Sequence, residues 1–402
     1  MFSLLLVIIY LAFISLGLPD SLLGAAWPAM YQEFSVPVSY AGGISMIIAV
    51  GTIVSSLQSA RQTKRFGAGK VTAFSVLLTA MALFGFSISS SYLELCLWAI
   101  PYGLGAGGVD AALNNYVAIH YASRHMSWLH CMWGLGASVG PYIMGFALTG
   151  GQGWNMGYRY IGMLQIVLTV ILFLSLPLWK GREQAGSQDG NTSDADAAYE
   201  EEVRALSLAD VVRIPGAKEV MATFFCYCAI EQTAGLWASS YLVLRHGLSA
   251  ETAAWFASLF YVGITAGRAL SGFLTLKFND NQMIRLGIGV IVLGLVALFA
   301  PLVLPLGSAI SFAGLILIGL GCAPVYPSVI HATPERFGPE KSQAIIGVQM
   351  ASAYVGTCVM PPVFGLIANH VSVALLPVYL LVLVVVMGGM QERLERKISV
   401  SK

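Results

Sequence analysis

Apolar residues along the chain gather into runs of about 20, each closed by a short cluster of Gly, Pro or charged residues. Read against those breaks, the runs fall near 2–27, 38–60, 71–90, 93–120, 127–149, 157–179, 218–243, 251–276, 282–304, 308–332, 342–368 and 372–390. About 20 residues of helix cross roughly 30 Å of hydrocarbon, and a helix satisfies its own backbone polar groups there. The pattern therefore predicts an all-α membrane protein of twelve transmembrane helices. The first run has neither a basic n-region nor a small-residue cleavage site, so it is read as a retained helix rather than a signal peptide.

Composition agrees: 57% of the residues are hydrophobic and 10% charged, against about 25% charged in soluble proteins. The net charge of +1 acquires meaning only when mapped. One set of loops holds Arg61, Lys64, Arg65, Lys70, Arg124, Lys180, Arg182, Arg204, Arg213, Lys218, Lys277, Arg285, Arg336, Lys341 and the C-terminal Arg393, Arg396, Lys397 and Lys402, which is 18 of the 21 basic residues. Arg159 and Arg245 fall on the other side. Short cytoplasmic loops retain Lys and Arg, so both termini are expected in the cytoplasm and the chain in the cell inner membrane. Cys96, Cys131, Cys226, Cys228, Cys322 and Cys358 lie inside apolar runs without ligand or disulfide spacing. They read as packing residues, with no metal and no cofactor expected.

Between the sixth and seventh spans lies one long polar segment, Lys180 to Pro215, rich in Gln, Gly, Ser, Asp and Glu over 183–202, a solvated linker. Leu206, Leu208, Val211 and Val212 among Arg204, Asp210 and Arg213 predict a short amphipathic helix on the membrane surface. The expected division is 1–180 as an N-terminal six-helix bundle, 181–217 as the linker with its amphipathic helix, 218–390 as a C-terminal six-helix bundle and 391–402 as a cytoplasmic tail.

The halves echo each other. Span two ends Gly51…Lys64-Arg65-Phe66 and span eight Gly263…Leu276-Lys277-Phe278; spans four and ten carry Gly-Leu-Gly at Gly103–Gly105 and Gly319–Gly321; spans five and eleven share Gly-x-x-Val-x-Pro-x-x-x-Gly at Gly136–Gly145 and Gly356–Gly365. A parallel repeat of this kind implies two bundles about a pseudo-twofold axis along the membrane normal, with a cavity between them. In these features the chain resembles the major facilitator superfamily across essentially its whole length. The basic loop from Ser59 to Lys70 is similar to a degenerate form of that superfamily's signature loop, without its usual Asp.

Only three acids sit well inside spans: Asp20, Asp110 and Glu231. A charge at a helix centre costs about 2.5–3.5 kcal/mol on insertion scales, so such residues mark ion or substrate paths. An anion is costly in a partly dry cavity, which suits these groups to load and release a proton. Asp110 and Asn114 share a helix face. Paired acids at these points of spans one and four, followed by an Asn, resemble the fucose permease branch of sugar/proton symporters. That resemblance implies proton coupling and sugar binding by Asp20 and Asp110; Trp133 replaces the span-five amide of that branch, so the hexose itself does not carry over. Asn114, Asn115, His130, Trp133, Glu231, Gln232, Trp237, Tyr326, Gln349 and Tyr354 mix flat apolar faces with amides and an acid, as a polyol site requires. Arg268 is the one basic residue inside a span. It is expected to snorkel or to pair with an interhelical carboxylate.

Other motifs dissolve on inspection. Gly103-Leu-Gly105-Ala-Gly-Gly108 satisfies G-x-G-x-x-G, but with no strand before it small-residue helix packing explains it. His120, His125 and His130 do not share a helix face, and Asn191-Thr-Ser193 is a sequon on the cytoplasmic side. The expectation is proton-coupled symport (or Na⁺-coupled) of a small polar solute of sugar type by a monomer in a lipid bilayer, with no nucleic-acid partner. Drug/proton antiport is the alternative within the architecture, since Gly136-x-x-x-Gly140-Pro141 resembles part of an antiporter motif. A non-transporting receptor or an enzyme would need a sensing domain or a catalytic constellation that the sequence does not show.

Overall fold

The computed structural model describes residues 4–121, 123–188, 208–304 and 307–401, and all regular structure among them is helical. In the first half the helices are α1 (Leu4–Asp20), α2 (Leu22–Glu33), α3 (Tyr40–Phe66), α4 (Ala68–Ile88), α5 (Tyr92–His120), α6 (Ser123–Thr149) and α7 (Gly153–Gln188). A short α8 (Leu208–Arg213) precedes α9 (Ala217–His246), α10 (Ala250–Leu274), α11 (Asp280–Val303), α12 (Ala309–Phe337), α13 (Pro339–Ile367) and α14 (Leu376–Ser401). With α1 and α2 forming one crossing, these make the twelve spans.

Several boundaries differ from the sequence reading. Helix α7 continues to Gln188, so the polar segment begins as a helical extension, and α14 continues to Ser401 where a tail from 391 was expected. The α14 extension has a partner: Lys397 Nζ donates to Glu219 at 2.6 Å and Arg393 lies 3.3 Å from the same carboxylate, tying it to the start of α9. The expected amphipathic helix is present over Leu208–Arg213. Residues 189–207, with Arg204, Leu206 and the sequon at Asn191, lie outside the described residues.

Among the described residues, nine stretches are long and apolar enough to cross a membrane, the last of them, Ala344–Ile398, covering two helices. The two long helices outside this set are α5 and α9. These carry Asp110, Asn114 and Asn115, and Glu231 and Gln232, whose polarity lowers the hydropathy of their spans.

Span one breaks where its acid sits. Pro19 has no N–H and so frees the carbonyl of Ser15, four residues earlier. Gln165 of α7 donates to that carbonyl at 2.5 Å in a buried contact. The helix can thus end at Asp20 and restart at Leu22 without leaving a buried acceptor unmet.

Packing within the halves corresponds pair for pair. The first crossing contacts α6 and α7, α3 contacts α5, and α4 contacts α5 and α7; in the second half α9 contacts α13 and α14, α10 contacts α12, and α11 contacts α12 and α14. The repeated glycines are the reason the helices approach so closely. A Cβ on Gly103 would lie 2.3 Å from Ile48 O, and one on Gly319 1.9 Å from Phe260 O; Gly136 would meet Ile14 O at 2.0 Å and Gly356 Phe225 O at 2.5 Å. Each pair of glycines seats the equivalent pair of helices.

Between the halves, α6 lies along α10, α3 along α13, and α2 packs on α9 and α10. On the membrane face away from the chain termini the join is tight: Gly24 abuts Gly235 and Leu236, Gly42 abuts Pro362, and Gly365 abuts Trp237 and Ser39. There one hydrophobic core runs through both halves, including Leu22, Trp27, Tyr102 and Trp154 with Phe224, Trp237, Phe260 and Phe364. Towards the terminal face the N-terminal half instead has its own core, built on Leu5–Leu16, Ala106–Val117 and Leu168–Trp179. The core shared by the two halves thus does not include these residues of the N-terminal half. Exposed Leu97, Val167, Leu174, Val296 and Val385 form the apolar outer surface that lipid covers.

Candidate functional site

Asp20 is exposed although helices surround it. Both of its carboxylate oxygens are engaged: Tyr102 Oη of α5 donates to Oδ1 at 2.8 Å, and Trp133 Nε1 of α6 donates to Oδ2 at 2.8 Å. Three helices of the N-terminal half therefore converge on one acid at the break in span one. Asp110 is half-buried, one helix turn before Asn114, whose Nδ2 donates to its Oδ1 at 2.9 Å and to its backbone oxygen at 3.0 Å. Asn115, one position further round α5, is exposed.

In the C-terminal half, Tyr227 Oη donates to Glu231 within α9, and Gln232 beside it is exposed. Tyr326 of α12 packs against Phe224 and Tyr227, with ring centroids 5.0 and 6.0 Å apart, and its hydroxyl meets Met350 Sδ at 3.6 Å. The His130 ring of α6 stands 6.4 Å from that of Tyr326 and edge-on to Phe13 at 5.8 Å, so it bridges the two halves. Tyr354 meets Ser56 of α3, also across the halves.

Two residues of the sequence-derived set are enclosed in protein. Trp237 is fully buried, donates to Pro361 O at 3.0 Å and packs on Phe364, wedging α9 against α13. Gln349 is fully buried and donates to Thr333 Oγ1 at 3.1 Å, joining α13 to α12. Their polar atoms are spent on neighbouring helices. Arg268, expected to snorkel or pair with a carboxylate, does neither. Its Nη1 donates to the backbone oxygen of His130 at 3.0 Å, and its guanidinium carbon lies 5.0 Å from the centre of the Trp133 ring.

The sequence reading missed Tyr102 and Tyr227. Tyr227 precedes Glu231 by four residues, hence lies on the same face, and that spacing is a legible signal. Tyr102 reaches an acid 82 positions away, and no local pattern reports that. The residues gathered here are acids, amides and aromatics brought from both bundles towards the seam between them.

This fold and cavity define a polytopic membrane transporter. The sequence profile of the Major Facilitator Superfamily matches residues 9–361, and the chain belongs to that superfamily. The chain is 21% identical over 394 residues to the glucose/mannose transporter GlcP of Bacillus subtilis, covering 96% of this chain and 94% of that protein. It is 20% identical over 385 residues to bypass of stop codon protein 6 of Saccharomyces cerevisiae, covering 91% and 77% of the two chains. Among solved structures, the inward open conformation of the xylose transporter XylE from E. coli superposes with a TM-score of 0.74 at 14% identity, covering 98% of each chain.

Proposed function

We propose that the chain carries a hexose-like sugar together with a proton by alternating access, as a monomer in the cell inner membrane with both termini in the cytoplasm, in the manner of the fucose permease branch. The observation that carries this reading is the position of Asp20. A solvent-reachable carboxylate, held by a tyrosine and a tryptophan from two further helices, can exchange a proton while the same rings offer a sugar its hydrogen bonds and flat faces. Asp110 with Asn114, and Glu231 with Tyr227, supply two further acid–donor pairs around the same space. Similarity to a transporter named for glucose and mannose supports the sugar class.

The test is uptake of labelled hexoses and of lipophilic cations into proteoliposomes, with and without an imposed pH gradient. Sugar accumulation that follows the proton gradient is expected; the same accumulation driven by a Na⁺ gradient alone would replace the coupling ion. Lipophilic cations moving against the proton flow, with no sugar transport, would replace symport by drug antiport. The glycine resemblance to antiporters adds no separate weight to that reading, because Gly136 and Gly140 seat α6 against Ile14 and Leu18 of α1.

A further inference from the structure

Among the described residues, the in-span acids Asp20, Asp110 and Glu231 form no ion pair with the in-span Arg268. Asp20 is held by Tyr102 and Trp133, Asp110 by Asn114, and Glu231 by Tyr227, all uncharged donors. None of the ion pairs among the described residues includes Arg268. A guanidinium has five N–H donors in a planar fork. In Arg268 one is spent on the His130 carbonyl, and the rest of the group lies over the Trp133 ring. Arg268 is half-buried, in a span where an unpaired charge is costly to hold.

The position is also specific. Arg268 belongs to the C-terminal bundle, whereas both groups it touches belong to α6 of the N-terminal bundle, and the N–H of the Trp133 ring beneath it is bonded to Asp20. An anion arriving at Arg268 would stand beside the proposed proton site, on the seam along which the bundles move. Phosphate and carboxylate both match the fork, but the space around Arg268 offers no second cation among the described ion-pairing and ring contacts, which suits a single negative charge.

We infer that the solute carries one carboxylate and that Arg268 receives it. This rests on the sugar reading above and narrows it to a sugar acid, a hydroxylated monocarboxylate whose hydroxyls meet the amides and tyrosines while its carboxylate meets the guanidinium. Binding then cancels the Arg268 charge before the cavity closes, so the loaded carrier passes through the occluded state with less uncompensated charge than the empty one.

The experiment is counterflow of labelled D-glucuronate, D-glucose and benzoate into proteoliposomes, each in turn with the other two unlabelled as competitors, on the wild type, Arg268→Gln and Arg268→Lys. The wild type should carry glucuronate, with glucose, which lacks the charge-assisted bonds to Arg268, and benzoate, which lacks the hydroxyls, each competing about tenfold or more less well. Arg268→Gln should lose glucuronate transport by about 10- to 100-fold, and Arg268→Lys should retain part of it. Glucose transport without glucuronate transport would overturn the inference and leave the sugar reading standing. Benzoate transport without either sugar would overturn both. Glucuronate transport by Arg268→Gln at the wild-type rate would overturn the role of Arg268. If Arg268→Gln does not fold, competition on the wild type alone decides whether the charge on the solute is recognised.

Discussion

Asp110→Asn separates proton coupling from folding, because the structure provides for the substitution. Asn114 Nδ2 donates to Asp110 Oδ1 at 2.9 Å and to the backbone oxygen at 3.0 Å. The amide oxygen of Asn can accept the first bond, and the second is unaffected. The loss is therefore the charge-assisted part of one hydrogen bond, about 1 kcal/mol, small beside a typical stability of about 5–15 kcal/mol. The transport consequence is much larger. One proton moving down a gradient of about 1.7 pH units supplies about 2.3 kcal/mol, which at about 1.4 kcal/mol per tenfold sustains roughly 50-fold accumulation of the solute, charged or neutral, at zero potential. Without a proton to load, that ratio should fall to about one, whereas counterflow exchange, which needs no net proton movement, should persist. The assay is the steady-state ratio of labelled solute inside and outside proteoliposomes under an imposed pH gradient of that size with the potential held at zero, with counterflow measured in the same preparation. Accumulation near 50-fold in both Asp110→Asn and Asp20→Asn would refute the reasoning and move coupling to Glu231.

Asp20→Asn should cost more than coupling, since an amide has one acceptor oxygen for the two donors Tyr102 and Trp133; sugar affinity should weaken by about tenfold, read by competition in counterflow. Ala at Gly103 or Gly319 forces a Cβ to 2.3 or 1.9 Å from a facing carbonyl and should destabilise each half by about 1–3 kcal/mol. Gly289→Ala, with open space at its Cβ, should be neutral or stabilising by up to about 1 kcal/mol; thermal unfolding in detergent distinguishes the two cases. Arg336, only 6% exposed and 2.8 Å from Glu395, should cost about 3–5 kcal/mol when changed to Ala. Arg285→Ala, which breaks the half-exposed pair with Glu392, should cost under about 1 kcal/mol on the same measurement.

The number of spans, the division into halves and the repeat were legible in the sequence because each has a local cause. Lipid demands about 20 apolar residues per crossing, and a helix crossing too tight for a side chain demands glycine, so Gly103 and Gly319, or Gly136 and Gly356, recur at matching places. In-span polarity was legible for the same reason: Asp20, Asp110 and Glu231 stand out against apolar surroundings wherever they point. Tertiary structure alone decided what those side chains meet. Periodicity orients a residue on its own helix but says nothing of the helix opposite, so Trp237 and Gln349 share the composition of cavity residues yet are buried between α9, α12 and α13. By the same rule Tyr102 joins Asp20 from 82 positions away. Arg268, read in sequence as a residue that would snorkel or find a carboxylate, reaches across the seam to a carbonyl and an indole, because α10 packs on α6 there.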